Sequence, residues 1–291
     1  MPVAFAVALL GMGIGSRVFP YSGSDTRLHY APNRNFDRDG GFLPGRIGFN
    51  VADVSSVRQL NSLPLGDKGL VWVGQCGGVT ALFVHTVQPY AGNPNLLGFY
   101  LMDNPDPRSR LIAARYSPPC TAEHLRAESD WIHAHAPGAK VFIILMNLSS
   151  SRTPSFDRAY TPSELHVDLF GLDPYPCRSE LGGCNYDMID RYVAAAEASG
   201  IPRSQMVPVY QAFGGGTWTD DGGGKYVLPT VEQERLILAR WSGLVARPFF
   251  DYAYSWGSQQ GDHSLESASD LRAVFAAHNG AGKPTWMIRS R

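Results

Sequence analysis

From residue 46 to residue 279 the chain alternates between two kinds of segment. Short apolar runs, rich in β-branched and aromatic residues, end in Gly, Pro or polar residues. Between them lie segments whose apolar residues recur at helical spacing. The runs are 46–50 (RIGFN), 69–73 (GLVWV), 97–102 (LGFYLM), 140–146 (KVFIILM), 167–172 (VDLFGL), 206–211 (MVPVYQ) and 250–256 (FDYAYSW). Their length and nearly continuous hydrophobicity suit strands buried on both faces, as in a parallel sheet.

The helical segments carry their own start and stop signals. Segment 121–136 opens with Thr121 as N-cap and stops at Pro137-Gly138. Segment 187–199 runs into Gly200 and Pro202, and 267–278 into Asn279-Gly280. Segment 230–246 opens with Thr230, and Glu232 and Glu234 near its start suit the helix dipole. Strand-helix alternation without a mid-chain linker predicts one α/β domain. Seven strands are counted, with an eighth placed either in 1–18 or in 78–85. This predicts a single (β/α)8 barrel with one strand irregular or hidden. A doubly wound sheet would show a Gly-rich phosphate loop after its first strand, whereas 51–53 here reads VAD. The Gly runs at 214–216 and 222–224 are not followed by Lys-Ser/Thr and read as loop hinges.

The 291 residues suit one such barrel at 46–291, preceded by an irregular lead-in at 21–45. Within 1–20, the apolar run 2–14 (PVAFAVALLGMGI) reads as a signal-peptide core. No apolar run reaches the roughly 20 residues of a transmembrane span. The four cysteines fit two disulfides. Cys177 and Cys184 flank a short Gly-containing loop, which predicts a local bridge and leaves Cys76 with Cys120; the alternative is four free thiols. Leader and disulfides together predict a secreted or cell-envelope protein. A net charge of -1 argues against nucleic acid as a partner, since phosphates need a basic stripe.

In a barrel of this kind, sites form at the C-terminal ends of the strands. Reading the ends in order gives Asn50, Gln75, Asp103-Asn104-Pro105-Asp106, Asn147, Asp173-Pro174-Tyr175-Pro176, Gln211, and finally Tyr254, Trp256 and Gln259. The set holds carboxylates, amides and aromatics, with no metal-ligand cluster and no Lys or Arg, and it calls for no cofactor. Amides and carboxylates hydrogen-bond sugar hydroxyls, and aromatic faces stack on the apolar faces of sugars. A phosphate site would need cations or a nest of backbone N–H groups. The set therefore suits a neutral sugar polymer. Glycoside hydrolysis uses two carboxyl groups flanking the scissile bond. Asp103 and Asp173 are the best-placed pair, with Asp106 in reserve. Asp168, within its run, and Asp251, near the start of its run, read as structural.

Three stretches carry a family resemblance. Residues 97–107 (LGFYLMDNPDP) look like a G-x-Y-x-x-D/N-E-P strand end. Residues 167–177 (VDLFGLDPYPC) are similar to a D-x-x-G-x-x-x-Y-P strand end, and 254–257 (YSWG) to a closing strand whose Trp lines a sugar site. On these motifs residues 46–279 resemble the TIM-barrel glycoside hydrolases, in particular secreted glycosidase-like proteins. The resemblance implies cleavage of a glycosidic bond in a polysaccharide. Where the family places a Glu before Pro, this chain has Asn104, next to Asp103, and the run expected to end in a Glu nucleophile ends in Gln211. The expectation is Asp103 as general acid and Asp173 as base or nucleophile. Asn50, Gln75, Asn104, Asn147, Gln211 and Gln259 would bind hydroxyls, and Tyr175, Trp218, Tyr254 and Trp256 would face sugar rings. The competing reading is a degenerate, non-catalytic carbohydrate-binding barrel. A lyase or aldolase would need a barrel Lys or a metal site, and no Lys stands at a strand end.

Overall fold

A computed structural model describes residues 26–106, 120–145, 147–148, 150–219 and 224–281. Its strands are β1 (His29–Tyr30), β2 (Val51–Val54), β3 (Lys68–Trp72), β4 (Leu96–Asp103), β5 (Lys140–Leu145), β6 (Leu169–Leu172), β7 (Cys177–Arg178), β8 (Gly183–Cys184), β9 (Met206–Gln211) and β10 (Asp251–Tyr254). Eight of them close into a barrel in the order β1-β10-β9-β6-β5-β4-β3-β2, and β7 and β8 form a small hairpin outside it. Neighbouring barrel strands are parallel throughout. The helices are α1 (Val57–Asn61), α2 (Ala81–Val87), α3 (Ala122–His135), α4 (Pro162–Leu165), α5 (Asp187–Ser199), α6 (Val231–Leu244) and α7 (Ser269–His278). The expected N-caps are present. Thr121 accepts the His124 N–H, and Thr230 forms a capping box with Gln233. Gly200 closes α5 with a φ of 112°, in the left-handed region that glycine tolerates.

The strands are apolar on both faces because each serves two cores. Outward residues such as Val71, Phe99, Val141, Phe170 and Tyr210 pack against the helices. Inward residues such as Tyr30, Leu70, Tyr100, Phe142, Val209 and Phe250 fill the barrel. Phe142 is the hub of the interior, with ring centroids 4.8 Å from Tyr100 and 5.0 Å from Phe250. Gly171 makes room for it, since a Cβ there would stand 2.9 Å from Phe142 Cζ and 2.6 Å from Ile144 Cγ1. The barrel is therefore plugged by aromatic rings, and a site must sit above the plug at the strand ends.

Two strands differ from the sequence expectation. The run 46–50 is not a strand. Pro44–Ile47 forms a 3-10 turn and Gly48 reverses direction at φ 84°, so the strand begins at Val51. The eighth strand is β1, inside the 21–45 stretch expected to be irregular. It is two residues long, too short to show a period, and its identity comes from long-range pairing of His29 with Asp251 and of Tyr30 with Val51. Of the two places expected for the eighth strand, 78–85 contains the start of α2 instead. The other, 1–18, lies outside the described residues together with the expected leader.

At the N-terminal end of the barrel, Asp251 is 1% exposed and holds this short strand in place. It pairs with His29 Nδ1 and His278 Nε2, each at 2.8 Å, and Tyr210 donates its hydroxyl to it at 3.4 Å. Asp168 plays a similar part between β5, β6 and α3, accepting the Val141 N–H at 2.8 Å and meeting His133 at 3.0 Å.

Glu128 of α3 is fully buried and accepts the Gly78 N–H at 3.0 Å, which pins the loop ahead of α2. Burial pushes its carboxyl from 4.5 up to about 8. The folded state holds this proton more tightly than the unfolded chain does. The associated stability is thus complete below about 4.5 and is lost as pH rises through about 8. Glu128→Gln keeps the acceptor and removes the ionisation. By thermal denaturation it should match the wild type at pH 4 and melt several degrees higher at pH 9. A lower melting temperature at pH 9 would refute this account of the residue.

Candidate active site

Asp103 reaches the barrel mouth through a β-bulge. Tyr100 points into the barrel, so strict alternation would send Met102 inward and Asp103 out toward the helices. The register between β4 and β5 shifts between Tyr100 and Met102. Leu101 and Met102 consequently both lie in the outer core, and Asp103 returns to the inner side. Bulges commonly re-aim a side chain beside an active site. Asn104 follows with a φ of 52°, and its Nδ2 donates to Asp103 Oδ1 at 3.0 Å, which orients the carboxyl.

Asp173 stands one residue past β6, on the face of Gly171 and opposite Leu172, which belongs to the outer core. Burial pushes its carboxyl well above the ordinary value of 3.8, and the negative charge of Asp103 raises it further. A backbone N–H and the Arg178 guanidinium offset part of that rise. The two carboxyls are thus electrostatic neighbours at one strand-end surface.

Aromatic rings wall the mouth. Tyr175 packs edge-on against Phe213 at 4.9 Å and Tyr226 at 5.6 Å. Trp218 stacks on Tyr254 at 5.7 Å with their planes 11° apart. Across from them Trp72, 43% exposed, stands edge-on to Tyr100 at 4.6 Å. Burial, followed by the neighbouring Asp charges, raises the hydroxyls of Tyr175 and Tyr254 above the usual phenol range, so both stay protonated.

The structure brings together Asp103, Asn104, Asp173, Tyr175, Trp218, Tyr254 and Gln259. Gln259 accepts the Tyr254 hydroxyl at 2.7 Å and donates to Asn33 Oδ1 at 3.0 Å. Asp106, just beyond β4, is buried at 5% exposure. Five expected sugar-binding residues are used elsewhere. Asn50 precedes β2 and so lies at the opposite end of the barrel, where it accepts the His29 N–H at 2.8 Å and donates to Arg27 O at 2.7 Å. Gln75 donates to Thr86 Oγ1 on α2 at 2.9 Å. Asn147 is buried and accepts the Ser155 N–H at 2.8 Å. Gln211 is fully buried, accepting the Cys177 N–H at 2.8 Å and donating to Cys177 O at 2.9 Å and Val227 O at 3.0 Å. Its amide is spent on backbone groups that burial would otherwise leave unpaired. Trp256 is 6% exposed and belongs to the outer core.

Two mouth residues were missed by sequence reasoning. Asp53 accepts the Asn33 N–H at 3.0 Å and meets the Tyr30 hydroxyl, and burial raises its carboxyl. Once β2 is placed at Val51–Val54, alternation sets Asp53 on the same face as inward Val51. Alternation from Leu70 likewise assigns Trp72 to the mouth. Both disulfides form as expected, Cys76 with Cys120 and Cys177 with Cys184. Among the described residues, no helix is long and apolar enough to cross a membrane.

No protein-family model matches the chain, and no curated protein matches it by sequence. Solved structures do match. A Bacteroides thetaiotaomicron protein assigned as an alpha-L-fucosidase is 12% identical, with 96% of this chain and 98% of that one covered and a TM-score of 0.51. A chitinase from Rhizomucor miehei is 13% identical, with 88% and 92% covered and a TM-score of 0.49. A chitinase-like agglutinin from Robinia pseudoacacia is 12% identical, with 82% and 95% covered and a TM-score of 0.48. The first likeness shows a shared fold, the (β/α)8 barrel expected from the sequence.

Proposed function

We propose that this barrel hydrolyses a glycosidic bond in a polysaccharide, with Asp173 as general acid and Asp103 as base or nucleophile. The observation that carries this reading is the placement of two half-buried carboxyls, Asp103 turned inward by the bulge in β4 and Asp173 directly after β6, on one strand-end surface walled by aromatic rings. A general acid must still hold its proton near the working pH, and burial beside a second carboxylate does that. The sequence expectation had the two roles the other way round; burial favours Asp173 as the donor. Asp106 remains in reserve. The exposed Trp72 and the stacked Trp218 and Tyr254 offer faces for sugar rings, and the exposed Gln259 offers an amide, while buried Asn104 orients Asp103. The two disulfides suit an oxidising, secreted or envelope location.

A second reading, a carbohydrate-binding barrel without catalysis, is favoured by Asn104. It stands where the resembled family has Glu, and its amide is bonded to Asp103. The two readings separate in an assay of reducing-end release on a panel of polysaccharides. Turnover by the wild type, lost in Asp103→Asn, supports the enzyme. Sugar binding by the wild type with no turnover supports the second reading and rejects the first.

A further inference from the structure

Beside the mouth, on the Asp173 side, lies a cavity of about 310 Å³. Its wall carries three guanidinium groups, Arg152, Arg178 and Arg191, against one carboxylate, Glu180, with Ser151 and Asn185 adding polar groups. Arg178 ties the cavity to the acid. Its Nη2 donates to Pro174 O and its Nε to Tyr175 O, each at 3.0 Å, and these are the two residues that follow Asp173. Arg191 is held at one point, with Nε donating to Ser151 O at 3.0 Å. Arg152 is exposed and, among the described residues, makes no hydrogen bond or ion pair. Two other surface arginines are neutralised by carboxylates, Arg203 by Glu197 and Arg240 by Asp187 and Asp190, whereas what sets Arg152 apart from isolated surface arginines is that it shares one cavity wall with Arg178 and Arg191.

We infer that this cavity is a subsite for an oxyanion carried by the sugar chain, so that the substrate is an acidic polysaccharide. The guanidinium fork matches the planar carboxylate of a uronic acid and the oxygens of a sulfate ester alike. The inference rests on the glycosidase reading, and it places the charged substituent on a sugar close to the scissile bond. It also replaces the neutral polymer expected from the strand ends. The arginines escaped that reading because they come from the loop after β5, from β7 and from α5.

The test is calorimetric binding of three oligomers of equal length to the full chain: an oligogalacturonate, an O-sulfated galactan oligomer and a neutral galactan oligomer. At least one acidic oligomer should bind tenfold or more tightly than the neutral one, and which of the two wins identifies carboxylate or sulfate. That advantage should shrink as salt is raised. It should fall about tenfold in Arg152→Ala, whose exposed side chain holds no other part of the fold, and in Arg191→Ala. Equal binding of acidic and neutral oligomers, binding of none, or wild-type affinity in Arg152→Ala would overturn the inference. Because binding is read without turnover, the glycosidase reading fails separately, when a bound oligomer is not cleaved by the wild type.

Discussion

Asp173→Asn is expected to lower kcat on a polysaccharide substrate about 10²–10⁴-fold, the usual worth of a positioned general acid. The substitution keeps the shape of the side chain and removes only the transferable proton. Burial and the Asp103 charge both favour the protonated carboxyl, so a neutral amide suits the same surroundings. The melting temperature of the variant should therefore equal or exceed that of the wild type. KM should change less than kcat, since the aromatic wall that would hold the sugar is untouched. Steady-state kinetics together with a thermal melt separate these outcomes. A kcat within threefold of wild type would remove Asp173 from the donor role and leave Asp106 as the next carboxyl to test.

The second large effect concerns stability. Cys76 and Cys120 are 44 residues apart in sequence, whereas Cys177 and Cys184 are 7 apart. Loop-closure entropy makes the longer link worth about 4 kcal/mol and the shorter about 2.5 kcal/mol. Replacing Cys76 and Cys120 by Ala should therefore cost more in urea denaturation than replacing Cys177 and Cys184. The shorter bridge should show its effect in activity instead. It staples the β7–β8 hairpin, whose Cys177 backbone is gripped by Gln211 and whose Arg178 holds the carbonyls beyond Asp173. A larger stability loss from the Cys177 and Cys184 pair would contradict the loop-closure argument.

Strands buried on both faces leave a strong mark in sequence, which is why six of the seven expected runs fall on barrel strands. The exceptions have local causes. β1 has no periodicity to detect because it is two residues long. The run 46–50 has strand composition, yet Pro44 and the left-handed Gly48 bend it into a turn. The two carboxylates of the candidate site could be picked out because each stands directly after a buried run, although the bulge that turns Asp103 inward could not be read. Side-chain amides were the least readable. A Gln or Asn at a strand end looks the same in sequence whether it faces a ligand or, like Gln211, satisfies buried backbone. Asp53 and Trp72 follow from period-two alternation once their strands are placed correctly. The arginine cavity does not follow from it, because its residues converge from three separate elements.

The central claim is that Asp173 keeps its proton because it is buried beside the charge of Asp103. Carbon-13 NMR titration of the Asp173 carboxyl, in the wild type and in Asp103→Asn, tests this directly. The wild-type carboxyl is predicted to titrate well above the ordinary 3.8, and to move down when the neighbouring charge is removed. An Asp173 that titrates at or below the ordinary value, and that does not respond to Asp103→Asn, would contradict the account.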